Sequence, residues 1–305
     1  MTTAERESRI VFWKPDMKME QHMNLEHMVA VVAGGTGGIG SSVARLLARE
    51  HAIVVLASRR MTRQGQLVNE LRAESPESFS LEADLRSWTG WQKVVKTVHE
   101  RFQRIDILIN CVGVLTPGRF ESLSTELIEN MITTNFGSFV LGAKAVIPMM
   151  KNQRWGRIIH IGSLGGVVPM PHETLYSATK FAVRGLSLSL DKELQGTGIR
   201  VGLVSPGAVK TNMLALEADD EHSDLAFFNR PTEPDEVAEA ILEDIRNPKS
   251  EIMLPRWTSR IGLFLNLFPG GFSFLLPLFK LIGRIRRKQF RGASIDSHFI
   301  LAQER

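Results

Sequence analysis

Apolar, β-branched runs alternate with helix-forming stretches along most of this chain, and that alternation decides its architecture. The runs occupy residues 29–33, 53–57, 79–83, 105–110, 157–161, 200–204 and 251–254. Helices are predicted between them over residues 41–49, 62–74, 88–102, 125–151, 175–195 and 234–246, the first with Val43, Leu46 and Leu47 on one face. Strands that are apolar throughout must be covered on both sides. Their alternation with helices therefore predicts an α/β fold, a doubly wound parallel sheet of about seven strands with helices on both faces.

At 305 residues, 43% apolar and 23% charged, the chain has ample material for a core and needs no disulfide. Its one cysteine, Cys111, can form no internal bridge, and no Cys/His cluster has zinc spacing, so no metal site is expected. A reducing, cytoplasmic compartment fits this usage. Residues 1–27 are mixed and charged without the apolar core of a secretory signal, and read as a leader ahead of a domain spanning 28–255. The net charge of +4 hides a division. Arg256 to Arg291 contains eight Lys/Arg and no acid, leaving −4 for the rest. Basicity confined to the tail, 256–305, argues against a nucleic-acid partner.

The first apolar run ends in Gly34-Gly-Thr-Gly-Gly-Ile-Gly40 and a helix start. Glycines there let a pyrophosphate approach the backbone, and the helix N-terminus supplies positive potential. Three dinucleotide spacings fit the cluster, so it does not distinguish between them. The second run is more informative. Where an NAD enzyme places an acid for the ribose 2′-hydroxyl, this chain has Ser58-Arg59-Arg60. A guanidinium suits a 2′-phosphate, which favours NADP(H), with Arg59 nearer the strand end than Arg60.

The chain has sixteen phenylalanines and one tyrosine, and that tyrosine opens Tyr176-Ser-Ala-Thr-Lys180. On a helix, positions four apart share a face, so the ammonium can lie beside the phenol. A nearby cation draws a phenol's pKa of about 10 toward neutrality, as a general acid/base for carbonyl and alcohol chemistry requires.

Together these residues resemble the short-chain dehydrogenase/reductase family in its compact form, over roughly residues 29–254. Gly34-x-x-x-Gly38-Ile39-Gly40, Asp84-Leu85, Asn110-Cys-Val-Gly113, Asn135, Ser163 thirteen residues before Tyr176, Lys180, and Pro206-Gly207 with Thr211 follow the family's order. The resemblance implies a Rossmann-type sheet. It also implies a cofactor held by Gly34, Thr36, Gly38, Ile39, Gly40, Ser58, Arg59, Asp84, Leu85, Asn110, Gly113, Pro206, Gly207, Val209 and Thr211, with Tyr176 and Lys180. It assigns proton transfer to Tyr176, pKa control and ribose contact to Lys180, the developing alkoxide to Ser163 and a relay water to Asn135. Members often associate through the helices carrying Asn135 and Tyr176, so a homo-oligomer is one expectation. Three departures stand out: Ala33 where a threonine is common, Cys111-Val112 in a segment usually more polar, and no basic residue inside the glycine loop. The extended branch of the family needs more chain after Lys180 than is present.

The implied activity is NADP(H)-dependent interconversion of a carbonyl, ketone or aldehyde, and a secondary alcohol. The alternative is an NADP-binding sensor or scaffold without turnover. The stretches 165–171 and 212–230 are expected to wall the pocket, and the first is largely apolar, which suggests a lipophilic substrate; His172 reads as a bystander to it and His160 as a core residue.

The tail combines an apolar run over 261–282, interrupted at Pro269-Gly-Gly and Pro277, with Lys280, Arg284, Arg286, Arg287, Lys288 and Arg291. Three readings stay open: attachment to the cytoplasmic surface of a membrane, packing on the domain or a second subunit, and a span. The first makes the tail dispensable for chemistry.

Overall fold

The computed structural model describes residues 23–59, 64–257, 262, 264 and 269–295. Seven parallel strands form one sheet in the order β3-β2-β1-β4-β5-β6-β7. They are β1 (Val29–Ala33), β2 (Ile53–Ser58), β3 (Phe79–Glu82), β4 (Ile107–Asn110), β5 (Gly156–Ile161), β6 (Ile199–Pro206) and β7 (Ile252–Leu254). The expected fold class is borne out. Side chains alternate between the two faces of each strand, and the core divides accordingly. Ala30, Val32, Val54 and Leu56 pack with α1 (Gly38–Arg49), α2 (Gln64–Glu74) and α8 (Pro234–Arg246). Val29, Val31, Ile53 and Val55 pack with Trp91, Val94, Val146 and Met150 of α3 (Trp88–Phe102) and α5 (Ser138–Gln153) on the other. On the latter side α6 (Thr174–Glu193) joins through Val183, against Phe139 and Leu203.

Chain order reverses between β1 and β4, so connections leave the two strands toward opposite faces and open a crevice at their carboxyl ends. Gly34 and Cys111 border it, tied back by Gly34 N–H to the Ala57 carbonyl and Cys111 N–H to the Ala33 carbonyl, each at 2.9 Å.

Three elements differ from expectation. The long helix predicted over 125–151 is broken into α4 (Thr125–Ile132), a π-helical turn (Thr133–Gly137) and α5. The extra residue in that turn carries Asn135 inward, where its side chain bonds the Val114 backbone twice, at 2.8 Å each. The connection after β6 holds a helix, α7 (Asn212–Asp219), and a tight turn, Ser223–Phe228. The tail forms α9 (Pro269–Ile295), which runs through Pro277 at the cost of one backbone bond.

α9 lies on α7 and the Ser223–Phe228 turn. A Cβ on Gly283 would run into the Asp224 carbonyl, so the two backbones are in contact there. Asp224, 2% exposed, accepts from Arg287 at 3.0 Å and Arg284 at 3.1 Å, while Arg287 also reaches the Ala218 carbonyl. Arg286 donates to the Phe228 carbonyl, and Arg291 pairs with Asp219. Much of the basic patch expected to face lipid is thus spent on holding the tail to the domain. Among the described residues no helix is long and apolar enough to cross a membrane.

Candidate active site

Strand ends and helix starts around the crevice bring the four expected catalytic side chains together. Ser163 follows β5 directly, and its Oγ accepts from Gly165 N–H at 3.0 Å while sharing a hydrogen bond with the Tyr176 hydroxyl. Tyr176 and Lys180 lie one turn apart on α6. The Lys180 ammonium is buried, donates to the Ile161 carbonyl at 2.9 Å and stands 5.6 Å from the centre of the Tyr176 ring. Asn135 bonds Val114, next to the Gly113 segment, and donates to Thr179 Oγ1 at 3.3 Å.

The electrostatics correct one expectation. Lys180 does not bring the phenol down: burial pushes the Tyr176 pKa well above its ordinary value, the Glu217 and Glu173 carboxyls add to the rise, and the Ser163 bond offsets only part. Burial also lowers Lys180, to about 8, and raises the Cys111 thiol to about 12. The protein's own groups therefore keep Tyr176 protonated and the thiol unreactive.

Ser163, Tyr176, Lys180 and Cys111 line a cavity of about 180 Å³ that continues to the glycine loop past Ile39, Gly113, Pro206, Gly207, Val209 and Thr211. The loop is shaped for a dinucleotide. Gly34 has φ +79°, which an L side chain rarely adopts, and a Cβ on Gly40 would run into the Gly34 carbonyl. A Cβ on Gly38 would strike Thr211, and Thr36 sits half-buried in the same loop. The start of α1 has Gly37 as its cap, with no side-chain bond and no acid in the first turn, so its N–H groups are available to an anion. The Asn110 amide, at the end of β4, is buried with both polar atoms unpartnered among the described residues. That is a cost a bound polar group would relieve. Ser58 ends β2 and Arg59 follows it, exposed, close enough to Asp84 to lower its pKa; Arg60 lies outside the described residues. Asp84 is itself held by Arg86 through bonds at 2.7 and 2.9 Å, and the buried Leu85 gives its carbonyl to the Trp91 indole. A dinucleotide fits this arrangement.

Glu173, Glu217 and Phe279 also line the cavity; Glu217 falls in the stretch 212–230 expected to wall it, whereas Glu173 and Phe279 were not expected there. They come from a loop, α7 and α9, and nothing in their local sequence marks them. Phe279, 4.6 Å from the Phe228 ring centre to centre, makes the tail a wall of the cavity, against its expected irrelevance to chemistry. His172 stacks on His222 at 4.3 Å, and His160 is a core residue bonded to Ser187. Among the described residues no His/Cys/Asp/Glu cluster is arranged for a metal.

The short chain dehydrogenase family model matches residues 28–222. An uncharacterized oxidoreductase of Staphylococcus aureus strain MRSA252 is 32% identical over 225 residues, 74% of this chain and 94% of that protein. One from Staphylococcus saprophyticus is 33% identical over 229 residues, with the same coverage. Among solved structures, an actinorhodin polyketide ketoreductase variant with NADPH superposes with a TM-score of 0.69 at 29% identity, covering 75% of this chain and 95% of its own. A metagenomic short-chain oxidoreductase in complex with NADP gives 0.65 at 28% identity, over 76% and 97%. On sequence and fold alike, the chain belongs to the short-chain dehydrogenase family of oxidoreductases.

Proposed function

We propose that this protein is an NADP(H)-dependent oxidoreductase that interconverts a lipophilic ketone or aldehyde and a secondary alcohol. The observation that carries the reading is the phenol of Tyr176, held protonated beside Ser163 and Lys180 in a mainly apolar cavity that opens onto the glycine loop. The bound nicotinamide supplies hydride. Tyr176 gives its proton to the carbonyl oxygen, and Ser163 donates a hydrogen bond to the oxygen as negative charge develops there. Lys180 restores the proton, and Asn135 holds the Gly113–Val114 segment in place. A phenol that resists ionisation is suited to the reductive direction. The 2′-phosphate preference rests on Arg59, and the NADPH and NADP complexes among the structural relatives support it.

The test is NADPH consumption across a panel of ketones and aldehydes, with NADH in parallel. Turnover of apolar carbonyls with NADPH is expected. Arg59→Ala should weaken NADPH about tenfold to a hundredfold and NADH little, the cost of one charge-assisted contact. No turnover of any carbonyl would overturn the reading, and equal losses for both cofactors would remove Arg59 from it.

We also propose peripheral attachment through the outer face of α9. Phe274, Leu278, Leu281 and Ile285 are 52–84% exposed at spacings of four, three and four residues, a continuous apolar stripe, with Lys288 exposed near it. Flotation with anionic liposomes tests it: full-length protein should float, and replacement of Phe274 and Leu278 by serine should leave it in the soluble fraction. Equal behaviour of the two would discard attachment.

A further inference from the structure

Two carboxyl groups stand on the cavity wall beside Tyr176 and take no part in the chemistry above. Glu173 closes the loop ahead of α6 and is 3% exposed. Glu217 projects from α7, and the two carboxyls are in hydrogen-bond contact. Burial raises both well above the carboxylate range, Glu173 to about 7; the Glu173 charge and hydrogen bond raise Glu217 further, whereas the hydrogen bond from Glu217 holds Glu173 lower. Groups coupled this closely hold one proton between them at neutral pH. Their other neighbours are Ser223, close enough to lower Glu173, and Asp220, which accepts from the Ser223 hydroxyl at 2.7 Å and adds negative charge. Among the described residues neither is in a salt bridge, and Glu173 Oε1 is buried with no hydrogen-bond partner. The shared proton satisfies one lone pair, and acceptor capacity remains at an otherwise apolar wall that includes Val168, Met170 and Phe279.

A buried, singly protonated acid pair is a poor choice for cementing α7 to α6, where two apolar side chains would cost less. It is a good choice for gripping a polar group that arrives from the cavity. The half-protonated pair offers one donor and one acceptor, which is the complement of a hydroxyl group, itself donor and acceptor. An anionic substrate would meet like charge. An ammonium would draw the remaining proton off and set two carboxylates side by side away from water.

We propose that Glu173 and Glu217 form the polar end of the substrate pocket and bind a hydroxyl group that the substrate carries in addition to its reacting carbonyl. The inference rests on the reductase reading, and it narrows the substrate class to lipophilic hydroxyketones and their diols.

The experiment measures both binding and turnover. A straight-chain methyl ketone and its analogues with a hydroxyl walked along the chain are titrated calorimetrically into the NADP⁺-loaded protein, and the same compounds are assayed with NADPH. One hydroxyl position is expected to bind about tenfold to a hundredfold more tightly than the plain ketone, as a charge-assisted hydrogen bond allows. Glu217→Leu should bring that ratio close to one. Glu217→Gln, which keeps shape and hydrogen-bonding capacity, should retain part of it and guards against a Leu variant that fails to fold. A wild-type ratio near one at every position overturns the inference, as does a ratio that Glu217→Leu leaves unchanged. An amino analogue that binds more tightly than the best hydroxy analogue overturns the hydroxyl assignment. Binding selectivity without turnover of any compound would instead refute the reductase reading and leave the pocket's polar end standing.

Discussion

In the proposed reduction Tyr176 serves as an acid, and its surroundings suit that role. Burial and two nearby carboxyls keep the proton on the phenol, and burial of Lys180 brings its pKa to about 8. Of the proposed catalytic side chains, Lys180 is therefore the one expected to titrate within the working range. Below about pH 8 Lys180 is charged and can resupply the phenol; above it the proton is lost and carbonyl reduction should slow, with no matching acid limb from Tyr176. A pH–rate profile of the reduction checks this, and a flat alkaline side would count against Lys180 as the proton source. Tyr176→Phe should lower turnover about a hundredfold to ten-thousandfold while NADPH binding stays close to wild type, measured by cofactor fluorescence. The four proposed catalytic positions were legible, Tyr176 and Lys180 from their spacing on a helix and Ser163 and Asn135 from the family resemblance. The pairing of Glu173 with Glu217 was not, since the two carboxyls are forty-four residues apart and meet only in the folded cavity wall. The rise of the phenol's pKa was not legible either, because its first cause is burial of Tyr176 in the folded cavity, with the two acids adding to it.

At the level of elements, the strands and most helices were readable because hydrophobic period and strand length agree there. The π-helical turn at Thr133–Gly137 was not, because its cause is Asn135 reaching a backbone segment twenty-one residues away. The tail shows the same limit. Its basic residues looked free to meet lipid, yet their acceptors, Asp224, Asp219 and two carbonyls, lie some sixty to seventy residues earlier. Gly283 is the point of closest approach. Gly283→Val would drive a side chain into the Asp224 backbone, and accommodation of that kind costs about 1 to 3 kcal/mol or lifts the helix outright. The expected outcome is faster tryptic cleavage around Arg284–Arg291 and a raised KM for apolar carbonyls, with the sheet's melting temperature little changed. Cleavage at the wild-type rate would mean that α9 is not held where Gly283 contacts Asp224.

Across the whole molecule, one buried acid sets a pH dependence that the sequence could not have announced. Asp244 on α8 is 0% exposed, and its second oxygen has no partner among the described residues; burial raises its pKa to about 7. The folded protein therefore keeps this proton where the unfolded chain, near 3.8, releases it. The group imposes no penalty below about pH 4, and stability is lost progressively as pH rises through 7. Asp244→Asn should raise the melting temperature at pH 8, by an amount corresponding to about 1 to 3 kcal/mol, and change little at pH 4. A gain at acid pH instead would reverse the sign of the argument. The cavity carries a different consequence of global packing. One of its walls, Phe279, belongs to a helix docked on the domain through the Asp224 ion pairs and the contacts around them, so filling the cavity and docking the tail are thermodynamically linked. A ligand that touches Phe279 must favour the docked helix, and by reciprocity whatever favours the docked helix must tighten the ligand by the same factor.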